Sequence, residues 1–379
     1  MEAIAPALWD GLLAMQANPT PFMRHAYLQA MTASGSAVPR TGWGLRLLTL
    51  WQGQALAGAC PVWLKGHSRG EYVFDWAWAE AYERHGLAYY PKAVVASPFT
   101  PVPGSRLLAR HPGARAALIQ ALTGWCAAEG LPSLHILFGD ATDQAACLQA
   151  GLMLRQQVQF HWQNPGWRDF EDFLASLNQD KRKKIRQERR KVREAGVVFR
   201  TVCGSQASEA DWAFVQQCYQ QTYWEHGNAP YLQPGFFETM RRAMPDNWVI
   251  FIGERSGQAM AMCLIGLQRD ADGNTEVAYG RYWGATQRVD CLHFEACYYQ
   301  PIAWCIAHGV QRFEGGAQGE HKMARALLPV NTASAHWIAH PGFAEAIGRF
   351  LAREREGVTD YLEALTQHSP LRQPPAAQT

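Results

Sequence analysis

The chain has 379 residues, 48% of them hydrophobic and 18% charged, with a formal net charge of +2. That composition excludes a disordered protein and supplies core material for two or three domains. The near-neutral charge excludes a chain given over wholly to nucleic acid.

The neutrality is a cancellation. Residues 181–193, KRKKIRQERRKVR, hold nine basic residues and one acid, a net +8, so the remaining 366 residues carry −6. The nine cysteines are scattered, with no C-x-x-C pair, which points to neither a zinc site nor a disulfide framework and suits a reducing cytoplasm. The opening MEAIAPALWD lacks the basic start of a secretory leader. The 15 tryptophans exceed what a core needs, so some should line a cleft or an interface.

In chain order, residues 21–33 predict a helix, and 45–51 and 55–64 predict two strands around Gln-Gly-Gln. Gly and Pro interrupt the charge-free stretch 47–64, which therefore does not read as a membrane span. Residues 71–79 predict a third, aromatic strand, 97–113 a Pro-rich loop, 114–129 a helix and 134–138 a strand. After 169–177 the basic helix runs to 195, followed by a strand at 197–202 and a helix at 208–226. Strands at 247–253, 258–268 and 275–283 precede a helix at 291–308, apolar nearly all round, and a last strand starting at 312.

Two short words recur in the same order. Gly53-Gln-Ala-Leu-Ala returns as Gly257-Gln-Ala-Met-Ala, and Trp125-Cys-Ala-Ala-Glu-Gly returns as Trp304-Cys-Ile-Ala-His-Gly. The offsets are 204 and 179, which predicts a duplicated unit with 25 extra residues in the first copy, between 83 and 114. Each copy reads β-β-β-α-β, an order suited to a mixed α/β sheet with a right-handed crossover, the order of the GNAT acyltransferases.

Longer motifs carry a more specific resemblance. YGRYWGATQ and LHFEACYYQPIAWCIAHGVQRFEGGAQGEHKMARALLPV within 279–330, KGHSRGEYVFDWAWAEAYERHGLAYYPK at 65–92 and PFMRHAYLQAMTASGS at 21–36 resemble the FemAB-like predicted N-acyltransferases of peptidoglycan biosynthesis and recognition. The basic run Arg182-Lys-Lys-Ile-Arg to Gly196 is similar to the basic stretch of Fem proteins; the helical-hairpin arm of some of them has no counterpart here. The resemblance implies an α/β fold of two tandem GNAT-like domains, 1–165 and 166–360, the second carrying the basic helix 181–195, with a loose tail at 361–379. It also implies transfer of an aminoacyl group from aminoacyl-tRNA to an amine of a cell-wall precursor, with neither metal nor cofactor required. Acyl-CoA is the alternative donor, and a cytoplasmic location without DNA or a membrane span follows.

The candidate residues fall in four places. Arg182 and Arg186 lie on one face of the basic helix and suit phosphate oxygens; a solvated linker helix is the plain alternative. The loop from Gly315 to Lys322 is glycine-rich, with Gly316 and Gly319 able to bring backbone close to a ligand. Lys322 matches the lysine of the family's G-x-x-x-x-K signature and could hold a phosphate or an oxyanion, with His321 or Glu320 taking the amine proton; a tight surface turn is the alternative. Glu295, inside an apolar helix, needs a partner such as Arg281, His293 or an acceptor amine, and Tyr279 could protonate a leaving group. His67, Arg69, Glu71 and Asp75 cluster within nine residues, and 71 and 75 would share a strand face that could hold an amine or a sugar.

Two other readings stand beside transfer to a cell-wall precursor. One is acetyl-CoA-dependent acetylation, for which Arg281-Tyr-Trp-Gly284-Ala-Thr286 is a weak match to the CoA-binding pattern. The other is a non-catalytic module that binds peptidoglycan fragments or RNA.

Overall fold

A computed structural model describes residues 1–270, 272–316 and 319–372. In chain order the strands are β1 (Trp43–Gln52), β2 (Ala55–Lys65), β3 (Lys92–Val95), β4 (Leu108–Ala109), β5 (Ser133–Ile136), β6 (Met153–Gln163), β7 (Val197–Cys203), β8 (Trp248–Arg255), β9 (Gln258–Arg269), β10 (Thr275–Ala285), β11 (Arg312–Glu314) and β12 (Leu328–Ile338). The helices are α1 (Pro6–Ala14), α2 (His25–Ala33), α3 (Trp76–Arg84), α4 (Pro112–Ala128), α5 (Ala141–Gln149), α6 (Phe170–Ser176), α7 (Gln179–Glu194), α8 (Glu209–Glu225), α9 (Pro234–Ala243), α10 (Leu292–Phe294), α11 (Gln300–Ala307) and α12 (Pro341–Gln367). The chain divides into two compact units, one of Met1–Gln157, Tyr231–Met240 and Asn331–Asp360, the other of Val158–Pro230, Arg241–Val330 and Tyr361–Thr379. Part of the tail expected to be loose, 361–367, is the end of α12, and 373–379 lie outside the described residues.

In the first unit β1 and β2 form an antiparallel hairpin, β2 pairs antiparallel with β3, β3 runs parallel to β5, and β5 is antiparallel to β12. Leu118, Ile119 and Leu122 of α4 pack with Cys60, Val62, Val95, Leu134 and Ile136 of the sheet in one core. In the second unit β7, β8, β9 and β10 form an antiparallel meander. β10 then runs parallel to β11, and β11 is antiparallel to β6. Trp162, Phe173, Ile185, Phe251, Ile265, Ile302 and Phe313 share its core.

The repeated words mark equivalent places. Gly53 turns the β1–β2 hairpin at φ +61° and Gly257 turns β8–β9 at φ +75°. Gly130 and Gly309 close α4 and α11 at φ +65° and +66°, a region open to glycine, and the next amide in each bonds five residues back, Leu131 to Cys126 O and Val310 to Cys305 O, both at 2.9 Å. The third equivalence differs from the expectation. Residues 71–79 do not form a strand; Trp76–Arg84 is helical, with Trp78 and Tyr82 buried one turn apart. The strand matching β10 is β3, antiparallel to β2 and parallel to β5 as β10 is antiparallel to β9 and parallel to β11. The extra residues of the first copy therefore lie before that strand, between β2 and β3. A run of aromatic residues alternating with alanine reads equally well at period two or, through Trp78 and Tyr82, at helical spacing, and the packing of those two rings in one cluster goes with the helix.

The apolar helix expected over 291–308 is interrupted. A π turn, Glu295–Tyr299, separates α10 from α11 just ahead of Pro301, which has no N–H to continue the ladder. Gly284, the glycine of the weak CoA pattern, has a packing role. A Cβ there would sit 2.4 Å from the carbonyl oxygen of Cys218 on α8, so the glycine lets helix and strand approach. Gly284→Ala should therefore lower stability by about 1–3 kcal/mol, the usual cost of overpacking. Urea unfolding checks this, and an unchanged midpoint would count against the packing role.

Candidate active site

In the second unit β10 and β11 pair only from Val277↔Arg312 to Tyr279↔Glu314, whereas β10 continues to Ala285 beside β9. The chain leaves β11 through Gly315 and Gly316 and returns in a 3₁₀ turn, Glu320–Arg325. This turn carries the predicted lysine. Lys322 is 5% exposed, and its Nζ donates to the Gly316 carbonyl at 3.0 Å. Burial lowers its pKa to about 8, so the ammonium is the main form at neutral pH but is easily discharged. Gly316 and Gly319 have φ of +84° and +122°, and a Cβ on Gly319 would meet the His321 ring at 2.5 Å. His321 shares a 3.2 Å hydrogen bond with the Tyr298 hydroxyl. Burial, helped by the Lys322 and Arg325 cations, lowers its pKa and keeps the ring neutral. Glu320 accepts a bond from Tyr361 OH at 3.1 Å. The loop between Gly316 and Gly319 lies outside the described residues.

Glu295 is buried on the π turn, and its partner is Arg189 of α7 rather than Arg281 or His293. The guanidinium Nε and Nη2 reach the carboxylate at 3.2 and 3.1 Å, and Gln300 adds a bond at 2.7 Å. A group satisfied in this way is holding structure. Tyr279 is fully buried, its hydroxyl donating to Gln268 Oε1 at 2.7 Å, so it has no open face toward a leaving group. Arg281 reaches the Tyr282 hydroxyl at 3.1 Å.

The basic helix forms as expected. Asn178 caps it by accepting from Lys181 N at 3.1 Å, and Ile185, Glu188 and Val192 are its buried stripe. The stripe includes one residue that sequence reasoning passed over. Glu188 pairs with Arg325 Nη2 at 2.9 Å and also takes the Tyr299 hydroxyl hydrogen bond. On the open side, Arg182, Lys183, Arg186, Arg190 and Arg193 line a cleft of about 920 Å³ together with Glu171. Arg186 reaches Glu171 at 2.6 Å, while Arg182, Lys183 and Arg193 make no ion pair among the described residues. The cations left without counter-charges give this cleft a positive potential.

In the first unit Glu71 and Asp75 do meet, but around Lys92, which was not anticipated. Its fully buried Nζ donates to Glu71 Oε2 and to Ser68 Oγ at 2.8 Å each, and to Asp75. Tyr89 OH also donates to Asp75, at 2.6 Å. The network extends to His135, whose Nδ1 lies 2.7 Å from His336 Nδ1 and whose Nε2 lies 2.8 Å from Ser133 Oγ. The two carboxylates are thus buried against a lysine, not displayed on a strand face for a ligand. Arg69 takes part through its carbonyl, which accepts from Lys65 Nζ at 3.2 Å, and His67 lies against Gly42. Lys92 opens a hydrophobic strand right after Pro91, and that misplaced charge was the only signal in the sequence.

These geometries can now be set beside known proteins. The FemAB-like family, described as peptidoglycan biosynthesis/recognition, matches residues 1–373. The chain belongs to the FemAB-like family. Among solved structures, FemX aligns with 91% of this chain and 98% of its own at a TM-score of 0.56 and 10% identity. L-PGS from Bacillus licheniformis aligns with 92% and 97% at a TM-score of 0.52 and 10% identity. A tandem GNAT protein from the clavulanic acid pathway covers 88% and 95% at a TM-score of 0.44 and 13% identity. No curated protein matches the chain. The mixed α/β fold expected from the strand order is thus the FemX fold. Among the described residues no helix is long and apolar enough to cross a membrane, and no group of three or more His, Cys, Asp and Glu side chains is placed to hold a metal ion.

Two predictions follow from the buried charges. Lys92→Met strands two carboxylates and should cost about 3–5 kcal/mol in urea unfolding; a loss below 1 kcal/mol would mean the pair is not held by the lysine. Burial also lowers the pKa of His161 and of His336 to about 3. Both stay neutral when folded, whereas the unfolded chain takes up protons below about pH 6.5. Stability should be complete above pH 6.5 and fall by up to about 1.4 kcal/mol per pH unit for each ring as pH drops toward 3. Urea midpoints at pH 7 and pH 5 test the sign.

Proposed function

We propose that this protein is an N-acyltransferase that moves an aminoacyl or acyl group onto an amine of a peptidoglycan-type precursor. The observation that carries this reading is Lys322. It is a buried lysine of lowered pKa on a turn beyond the end of the β10–β11 pairing, in the same unit as a cleft lined by more cations than acids.

The chemistry asks little of the protein beyond placement and charge. An amine attacks the carbonyl of an activated ester, the C–N bond forms, and negative charge gathers on the former carbonyl oxygen. The Lys322 ammonium stabilises that oxyanion. The neutral His321 ring, bonded to Tyr298, takes the proton that the attacking nitrogen must lose, and the ester oxygen leaves with a proton as the amide forms. Arg182 and Arg186 hold phosphate of a substrate in the α7 cleft. Aminoacyl-tRNA is the preferred donor, because the cationic positions 182 to 193 extend over about 17 Å of helix, longer than a single diphosphate. The reaction is placed in the cytoplasm, where such donors occur and where nine unpaired cysteines are at home.

Two outcomes test the reading. Lys322→Ala should lower transfer at least about 100-fold while the protein stays folded, the usual loss when an oxyanion partner is removed; turnover within threefold of wild type would sink the assignment. With Lys322 intact, the rate should fall as pH rises through about 8 and the ammonium discharges. Calorimetric titration separates the donors. Tight acetyl-CoA binding would favour the CoA reading over the tRNA one, and salt-sensitive aminoacyl-tRNA binding lost in Arg182→Gln/Arg186→Gln would favour the proposal.

A further inference from the structure

The basic helix has two working sides. One carries the open cations of the 920 Å³ cleft. The other is packed against the parts of the unit that surround Lys322. Glu188, 6% exposed, is the only acid in the basic run, and its carboxylate accepts from Arg325 Nη2 at 2.9 Å. Arg325 stands three residues after Lys322 in the same 3₁₀ turn and is itself buried. Its guanidinium Nε reaches the Tyr299 hydroxyl at 3.2 Å, its Nη1 donates to the His321 carbonyl at 3.0 Å, and its plane lies 3.8 Å from the Phe294 ring centre. Tyr299 in turn donates to Glu188, which closes a triangle. One residue along α7, Arg189 forks onto Glu295 at the start of the same π turn that ends in Tyr299.

We propose that Glu188 and Arg325 are positioning residues: their buried ion pair fixes the turn that carries Lys322 to the helix that carries Arg182 and Arg186, so that the anion site and the lysine amine are held in one frame. This rests on the reading of Lys322 and the α7 cleft given above. The energetic argument is the asymmetry of buried pairs. Such a pair adds little net stability over an apolar one, but loss of one partner leaves a charge that the turn can only satisfy by moving. Without Glu188, Arg325 would swing toward water and take the 320–325 turn with it. Among the described residues no other hydrogen bond or ion pair joins the turn directly to α7; the remaining bonds of Arg325 go to its own turn and to Tyr299.

The test reads the amine directly and needs no substrate. Acylation of Lys322 by an amine-reactive ester, followed by mass spectrometry across a pH series, reports its state. The charged and titratable groups that face it are Cys297 of the π turn, His161 of β6, His293 of α10 and His321 and Arg325 of its own turn. All are kept in the variants except Arg325 where it is the residue changed. In wild type the labelling midpoint should lie near pH 8. Glu188→Gln should raise it by one unit or more as the turn opens and the amine is hydrated, while the affinity of the cleft for inorganic pyrophosphate, measured by calorimetry, stays within twofold. Should that single variant fold poorly, Arg325→Lys keeps the charge but cannot hold Glu188, Tyr299 and the His321 carbonyl at once, and should raise the midpoint likewise. A midpoint that stays near pH 8 in a folded variant overturns the proposal. So does a fall in pyrophosphate affinity equal to that of Arg182→Gln/Arg186→Gln, because the pair would then be shaping the cleft and not the lysine. The function itself fails differently, through unimpaired transfer in Lys322→Ala.

Discussion

A charge withdrawn from water must meet a counter-charge, find a polarisable partner or give up its proton. Three lysines of this chain illustrate the three answers. Lys92 meets Glu71 and Asp75 and stays charged, its pKa held up by the two carboxylates against the pull of burial. Lys65 rests 3.6 Å from the ring centre of Trp43, and burial brings its pKa to about 7. Lys322 donates to one carbonyl and meets no carboxylate among the described residues. The first solution builds a buried knot around one ammonium. The last leaves an amine close to discharge beside a glycine-rich turn.

That contrast sorts the candidates that sequence alone could not rank. Glu71, Asp75 and Glu295 were conspicuous as acids among apolar and aromatic residues, and the structure brings each to a cation, Lys92 or Arg189. Acids in apolar runs announce a buried pair but not the other half of it, because the partner comes from a distant part of the chain. Lys92 lies 17 residues from Asp75, and Arg189 lies 106 from Glu295. Lys322 and His321 were legible for a local reason, a glycine-rich stretch directly after a strand. Glu188 was hidden by its surroundings. Among nine cations a single glutamate reads as charge balancing, and only the packing of Ile185 and Val192 on either side reveals that it faces inward.

The fold was legible where local rules decide. Hairpin glycines and the paired helix ends at Gly130 and Gly309 are set by neighbours a few residues apart, and they stand where the sequence puts them. It was illegible where two periods competed, as in 71–79, and where an element has a weak pattern of its own. β12 mixes half-buried and buried positions, and α12 carries three glycines and eight charged residues among its 27. Such elements take their form from what they pack on.

The π turn at Glu295–Tyr299 has a consequence for the shape of the whole helix. A turn of that kind contains one residue more than an α turn of equal rise, so it offsets the faces on its two sides by roughly 100°. The surplus residue lets Glu295 and Tyr299 both address α7 while Ile302 and Cys305 stay in the core. A regular helix would have to choose between filling the interior and clasping its neighbour. The bulge works as a gear shift in the middle of a rod, and shortening the chain there by a single residue would turn one of those two faces away.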